Sequence, residues 1–371
     1  MKVGIVGGGQ LARMLALAGY PLNLRFQVLD PALDACAGQV ALLIQGDYSD
    51  EIRLRQLADG VDVVTFDFEN VPAAAARLLA KEVAVYPPPG ALAMAQDRMF
   101  EKTLFWELGI PTPTFATIDS LEELRSAVLR IELPAVLKTR QLGYDGKGQW
   151  LLRSLGDIEP AWQALGSVPL LLEGFVPFQR EVSVVAVRSR DGEIAFYPLV
   201  ENHHRDGILR LSLAPYPALT AQLRQEAWEY ARRLLDRMNY VGVLAIEFFV
   251  LDGHLIANEM APRVHNSGHW TIEGAETSQF ENHLRAILGL PLGSTKAIGH
   301  SAMLNCIGEL PDLAAVLAVP GAHYHAYGKS PRSGRKVGHI TLRADETETL
   351  AAGLQRLLPL VGFSPDAFGV G

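Results

Sequence analysis

Two glutamates in the second half of the chain demand a chemical explanation. Glu247 lies inside the apolar run Leu244-Ala-Ile-Glu-Phe-Phe-Val250, and Glu259 follows beyond the turn signal Asp252-Gly253. A carboxylate in an apolar strand is costly unless a cation or donors meet it. An Asp-Gly hairpin would bring the two glutamates near one another. A two-residue turn pairs Glu247 with Asn258. A three-residue or bulged loop pairs it with Glu259 and sets both carboxylates on one face, where they could share a hard cation. An exposed sheet face, or a salt bridge to arginine, would also accommodate them.

Other segments carry phosphate or anion chemistry. Lys138 sits in the buried strand Pro134-Ala-Val-Leu-Lys-Thr139, and the loop Gly143-Tyr144-Asp145-Gly146-Lys147-Gly148-Gln149 follows. That loop joins two strands, so it is no Walker fold. Its three glycines suit a mobile flap whose amides close over phosphate, with Lys147 adding charge. Glu173-Gly174-Phe175-Val176, with Glu181, reads either as a surface turn or as a linker that holds a nucleotide base, a carboxylate meeting the ribose. In Arg263-Val-His265-Asn266-Ser-Gly-His269 the two histidines are four apart, but no HExxH and no cysteine accompany them. That argues against zinc and for a substrate-contacting loop. Lys329, Arg332, Arg335 and Lys336 form a basic cluster, either a solvated loop or a phosphate clamp. Gly7-Gly8-Gly9-Gln10-Leu11-Ala12 matches G-x-G-x-x-[GA], with Asp30 lying 21 residues past Gly9. By pattern it is a dinucleotide fingerprint, for NAD or FAD or else for a reused phosphate or substrate site; physically it says only that amides at a helix start face an anion.

These residues need elements to hold them. Strands are expected at 2–6, 25–29 and 61–66, with a helix from Gln10 to about Ala18, which gives a parallel doubly wound sheet. Pro87-Pro88-Pro89-Gly90 breaks the chain after it. A helix is expected over 92–108 and another over 121–129. Strands follow at 134–139, 149–153, 170–173, 181–188 and 194–198, then a helix over 219–238 and the hairpin 243–259. A helix near 277–288 ends at Gly289–Gly293, another boundary. Short strands at 302–307 and 338–342 and a helix near Leu350 close the chain. The expected organisation is α/β: an N-terminal Rossmann-like parallel sheet (1–95), a central α+β domain (96–292) and a small β-rich C-terminal domain (293–371).

Composition narrows the class. The 371 residues are 49% hydrophobic and 20% charged, as in ordinary globular proteins. Lys plus Arg is 33 and Asp plus Glu 41, a net −8 that argues against nucleic acid or an anionic membrane as partner. No apolar run reaches the roughly 18 residues of a membrane span. Two distant cysteines, Cys36 and Cys306, and the lack of a leader pattern fit a reducing cytoplasm.

Together the motifs resemble the ATP-grasp superfamily and, within it, the N5-carboxyaminoimidazole ribonucleotide synthase family. The resemblance is carried by Gly7 to Leu11, Phe66-Asp-Phe-Glu-Asn-Val71, Gln96-Asp-Arg98, Gly143 to Gln149, Asn258-Glu259, Ala261-Pro-Arg-Val-His-Asn-Ser-Gly-His269 and Gly334-Arg-Lys-Val-Gly-His339. Asp67 stands where the family usually has Glu, and His203 precedes His204. The resemblance implies a central ATP-grasp domain, no dinucleotide at the glycine turn, and small-molecule substrates: ATP, bicarbonate and 5-aminoimidazole ribonucleotide, with Mg2+. It implies a cytoplasmic homodimer. By the same resemblance, ATP contacts Arg98, Lys138, the flap Gly143 to Gln149, Glu173 to Val176, Glu181, His204, Asn258 and Glu259; Glu247 and Glu259 hold the metal. Gln10, Glu69, Tyr144, Lys329 and Arg335 bind the ribonucleotide. Asp145, Lys147, Arg263, His265 and Asn266 are catalytic, Asp145 as proton acceptor. A formate-using transformylase, a nicotinamide or flavin oxidoreductase, and a nucleotide-binding regulator are the rival functions.

Overall fold

The computed structural model describes residues 1–143 and 146–369. Its N-terminal strands are β1 (Lys2–Val6), β2 (Arg25–Asp30), β3 (Leu42–Gln45) and β4 (Val63–Phe66), parallel and ordered β3-β2-β1-β4. Val3, Ile5, Val6, Val28, Leu29, Val63 and Val64 are fully buried. Such continuous apolar runs are the mark of a parallel sheet covered on both faces. Three of these strands are legible in the sequence; β3, a half-exposed Leu-Leu-Ile-Gln, is not.

The helix expected over 92–108 is two helices, Pro89–Gln96 and Arg98–Glu107. Asp97 separates them in an extended conformation and accepts from the Met99 amide at 2.9 Å. Its carboxylate also takes both Arg140 donors, at 3.0 and 2.7 Å. Side-chain capping here outweighs the helical periodicity.

A small antiparallel sheet follows: β5 (Phe115–Ile118), β6 (Ala135–Thr139), β7 (Gln149–Leu152) and β8 (Leu170–Gly174), in the order β5-β8-β6-β7. Helices Leu121–Ile131 and Ile158–Leu165 close its own core. A nine-stranded sheet carries the rest. Its strands are β9 (Arg180–Arg188), β10 (Ile194–Phe196), β11 (Val200–Arg205), β12 (Ile208–Ala214), β13 (Gly242–Leu251), β14 (His254–Ala261), β15 (His300–Ile307), β16 (Ala322–Ala326) and β17 (Lys336–Ala344). The order is β14-β13-β9-β11-β12-β15-β17-β16, with β10 added on β9. The three C-terminal strands therefore extend the sheet of the central domain.

Helix Ala221–Arg237 packs one face of the large sheet through Leu223, Ala227, Ala231 and Leu234. Helix Gln279–Leu288 sits on the other face and shares a core with β1, β2 and helix Gln10–Gly19. That shared core fixes the N-terminal sheet to the large one. Among the described residues no helix is long and apolar enough to cross a membrane. Cys36 and Cys306 are both buried and form no disulfide.

Candidate active site

The three sheets enclose a cleft of about 1450 Å³. Ligand pockets usually run about 300–1000 Å³, so this one has room for more than one small molecule. One face of the large sheet forms its floor.

The hairpin β13–β14 supplies the central carboxylates. Its turn has only two residues, Asp252 and Gly253, with φ of 50° and 78°, as an Asp-Gly type I′ turn requires. The three-residue loop expected from the register is thus absent. The extra residue lies within β14 instead: Phe248 pairs with Ala257, the register shifts at Asn258, and Glu247 pairs with Glu259. This bulge puts both carboxylates on one face, as expected, by a different route. Asn258 Oδ1, on the bulge, is buried with no donor among the described residues.

Glu259 receives Arg98 Nη1 at 3.0 Å, and 40% of its side chain faces the open cleft. Burial raises its pKa, but Arg98 and Lys138 outweigh burial and leave it below the ordinary value. At Glu247 the positive charge of His204 and Lys336 does not offset burial. Burial, with Glu259 opposite, pushes it up to about 7. Two facing oxygen donors, one held away from its charged form, fit a hard divalent cation. Among the described residues no three His, Cys, Asp or Glu gather as a full cage. A cation here would complete its shell with ligand oxygens or water.

Lys138 and Glu173 were read separately in the sequence, one for phosphate and one for the base linker. The structure pairs them at 2.7 Å. It also adds Lys102, which sequence reading missed. Lys102 is fully buried; its Nζ lies 3.5 Å from Glu173 and donates to the Asn258 carbonyl at 2.7 Å. Burial would raise the pKa of Glu173, but Lys102 and Lys138 hold it down to about 2. Arg98 and Lys102, four apart on one helix, thus tie the small sheet at β8 to the large sheet at β14. That i, i+4 pair of cations was the available signal.

The glycine turn has its anions already. Gly8 N donates to Asp30 at 2.7 Å; Gly9 N and Ala12 N donate to Asp67 at 3.0 and 2.6 Å. The amides that would face a dinucleotide pyrophosphate are capped by two carboxylates of the chain itself. Asp30, the acidic residue that completes the dinucleotide pattern, instead holds this turn and the Tyr48 hydroxyl.

Beside it, Glu69 pairs with Arg263 and Gln10 with Lys329. Burial opposes ionisation of Glu69, but Arg263 brings its pKa down to about 2. Arg335 lines the cleft near Lys329 and donates to the Ser330 carbonyl at 3.2 Å. His265 Nε2 lies 3.6 Å from Glu247, and burial with Arg263 beside it pushes His265 down to about 3. Asn266 exchanges amide hydrogen bonds of 3.0 and 2.7 Å with Asn305, a residue the sequence did not single out. His204, not His203, lines the cleft and meets Glu181 at 3.0 Å. A register shift between the two histidines separates them, and His203 lies edge-on to Phe368.

Gly143, Gly146, Lys147, Gln149, Gly174, Phe175 and Val176 also line the cleft. The candidate residues Tyr144 and Asp145 lie outside the described residues. Gly148 has φ 71°, and a Cβ there would fall 2.6 Å from Thr139 Oγ1, so glycine is required.

Residues 1–96 match the ribonucleotide synthetase preATP-grasp domain, 103–280 the ATP-grasp domain, and 301–353 the phosphoribosylaminoimidazole carboxylase C-terminal domain. The chain is 58% identical over 361 residues to a Pseudomonas aeruginosa N5-carboxyaminoimidazole ribonucleotide synthase, covering 97% of this chain and 99% of that one. The crystal structure of the Thermus thermophilus synthetase of that name superposes with TM-score 0.94 at 59% identity, covering 98% of this chain and 99% of that one. An Aspergillus clavatus synthase in complex with ADP and 5-aminoimidazole ribonucleotide superposes with TM-score 0.91 at 35% identity, over 97% of this chain and 98% of that one.

Proposed function

The chain belongs to the N5-carboxyaminoimidazole ribonucleotide synthase family of ATP-grasp ligases, and from that premise we propose how its cleft divides the reaction. The enzyme joins bicarbonate to the exocyclic amine of 5-aminoimidazole ribonucleotide at the expense of ATP, giving N5-carboxyaminoimidazole ribonucleotide, ADP and phosphate in purine biosynthesis. The observation that carries the division is that one cleft is lined both by the ion-paired Lys138 and Glu173 and by the basic residues Lys329, Arg332, Arg335 and Lys336, with the paired glutamates in the same lining.

ATP occupies the seam between small and large sheets. Glu173 to Val176 meet the base, Glu181 and His204 the ribose side, and Lys138, Lys147 and Arg98 the phosphates. Glu247 and Glu259 would hold Mg2+, which when bound offsets charge on the phosphate oxygens. The ribonucleotide lies toward the N-terminal sheet, its phosphate on Lys329 and Arg335 and its ribose near Gln10 and Glu69.

Arg263, His265 and Asn266 hold bicarbonate. A bicarbonate oxygen attacks the γ-phosphorus and ADP leaves, giving carboxyphosphate. Loss of phosphate from it yields carbon dioxide, whose carbon the amine attacks as the amine gives up a proton. Asp145 is assigned that proton, and Tyr144 a place beside the aminoimidazole, on the family resemblance. The chemistry needs charge neutralisation and exclusion of water more than a strong base. The same resemblance supports a cytoplasmic homodimer. The deciding assay is phosphate release from ATP with and without bicarbonate and the ribonucleotide. Release that requires both fits the reading; release indifferent to the ribonucleotide overturns it.

A further inference from the structure

We propose that a buried chain of hydrogen bonds, Asn202–Ser183–Ser267, fixes His265 in the tautomer that carries its proton on Nε2, making it a donor toward the bicarbonate half of the cleft. The inference rests on the reading of His265 as a bicarbonate contact and deepens it.

Each link crosses the floor of the site. Ser183 on β9, Asn202 on β11 and Ser267 in the loop after β14 are all buried. Asn202 Nδ2 donates to Ser183 Oγ at 2.9 Å; Ser183 Oγ lies 2.8 Å from Ser267 Oγ; Ser267 Oγ lies 2.8 Å from His265 Nδ1. At the far end Ser212 Oγ donates to Asn202 Oδ1 at 2.8 Å. Strand pairing explains the alignment: Ser183 stands opposite Glu247, and Asn202 stands opposite both Glu181 and Ser212, so all share one sheet face.

The direction of the chain is fixed at its His265 end. The Ser267 backbone amide, which can only donate, points at His265 Nδ1 at 3.3 Å. Nδ1 is therefore an acceptor, and a neutral imidazole then has its single N–H on Nε2. Each hydroxyl has one proton. Ser267 spends its proton on Nδ1, so it accepts from Ser183, and Ser183 accepts from the Asn202 amide. Reversing the order would set the Ser267 amide against an Nδ1–H, two donors face to face. The Nδ1 lone pair is thus turned into the protein, and the edge facing the cleft and Glu247 is Nε2–H.

This orientation gives His265 one task. It offers a hydrogen bond to an oxygen of bicarbonate or of carboxyphosphate, where negative charge gathers, as preorganised donors do. It has no lone pair on the cleft side with which to take the proton of the attacking amine. Ser183, Asn202 and Ser267 are positioning residues that act through it.

Nitrogen NMR on the whole enzyme, with histidine labelled at its ring nitrogens, tests the assignment. The His265 signals are identified by their loss in His265→Asn. The expected result is a protonated Nε2 and an unprotonated Nδ1 in the wild-type enzyme; a protonated Nδ1 overturns the proposal, and no variant is needed to find it. In Ser267→Ala only the longer 3.3 Å backbone amide is left to hold Nδ1, so the ring should lose its fixed orientation and the second tautomer should appear beside the first. The KM for bicarbonate should then rise by about tenfold or more while that for ATP stays unchanged. An unchanged bicarbonate constant in a variant whose tautomers have mixed overturns the role assigned to the donor. Wild-type phosphate release that ignores bicarbonate overturns the bicarbonate reading itself, and the NMR result still decides the tautomer.

Discussion

Replacing Lys102 by methionine tests whether the cleft is held together by charge. Methionine keeps most of the volume and removes the ammonium. The loss leaves the Asn258 carbonyl without its 2.7 Å donor and Glu173 with one cation in place of two. Breaking a buried ion pair by removing one partner costs about 3–5 kcal/mol. Lys138 stays 2.7 Å from Glu173, so the lower end, about 3 kcal/mol, is expected. For a chain of this size each kcal/mol moves the thermal midpoint by about 2 °C, which gives a fall of about 6 °C by calorimetry. Affinity for ADP should fall as well, because Lys138 is drawn more tightly to Glu173 and away from phosphate. The double variant Lys102→Met/Glu173→Gln removes the stranded carboxylate, so it should be less destabilised than the sum of its parts by about 1 kcal/mol or more. A midpoint within about 1 °C of wild type, together with additive effects, would refute the argument.

Glu259→Gln should abolish magnesium-dependent phosphate release and leave the circular dichroism spectrum unchanged; retained turnover would place the cation elsewhere. Arg335→Ala should raise the KM for the ribonucleotide by about tenfold to a hundredfold and leave that for ATP nearly unchanged. A rise in the ATP constant instead would put the basic loop on the nucleotide. Acid should act through Glu69 and Glu173, both held down to about 2 from an ordinary 4.5. Depressed carboxylates stabilise the fold above their unfolded pKa, and that contribution is lost as pH falls from about 4.5 toward 2. Urea midpoints measured across that window should drop, and less so in Glu69→Gln; a flat profile would contradict the pairing.

What the sequence shows and what it hides follow from the kind of force at each place. Strands β1, β2, β6 and β13 are legible because burial writes itself as apolar runs. Strand β11 is not, because Val-Glu-Asn-His-His-Arg is polar and is buried only by the network of Asn202, Ser183 and Ser212 that forms across strands. Lys102 reads as one more charge on a helix; its burial depends on the small sheet closing over it. The facing of Glu247 and Glu259 could be inferred from the cost of a lone carboxylate in an apolar strand. The bulge that produces it could not, because Asn258 gives no local sign that it will slip out of register. The glycine turn shows the opposite difficulty: its pattern is real, and only the folded chain shows that Asp30 and Asp67 fill the space an external anion would take.

The unbroken run of strands from β14 to β16 decides where this chain can be divided. The matched sequence families part between residues 280 and 301, just before β15. The backbone does not part there. Strand β12 pairs with β15 from Leu211 opposite Leu304 to Ala214 opposite Ser301, and Leu211 and Leu213 lie in one core with Ala302, Ile340 and Leu354. A fragment ending at Gly299 would leave the β12 edge with unmated amides and carbonyls beside two bare leucines. Such an edge recruits a strand from a neighbouring molecule. The portion that contains the facing pair Glu247 and Glu259 therefore cannot be excised as a well-behaved piece, although its name as a domain suggests that it can. The C-terminal strands keep the floor of the cleft from becoming a seam between molecules.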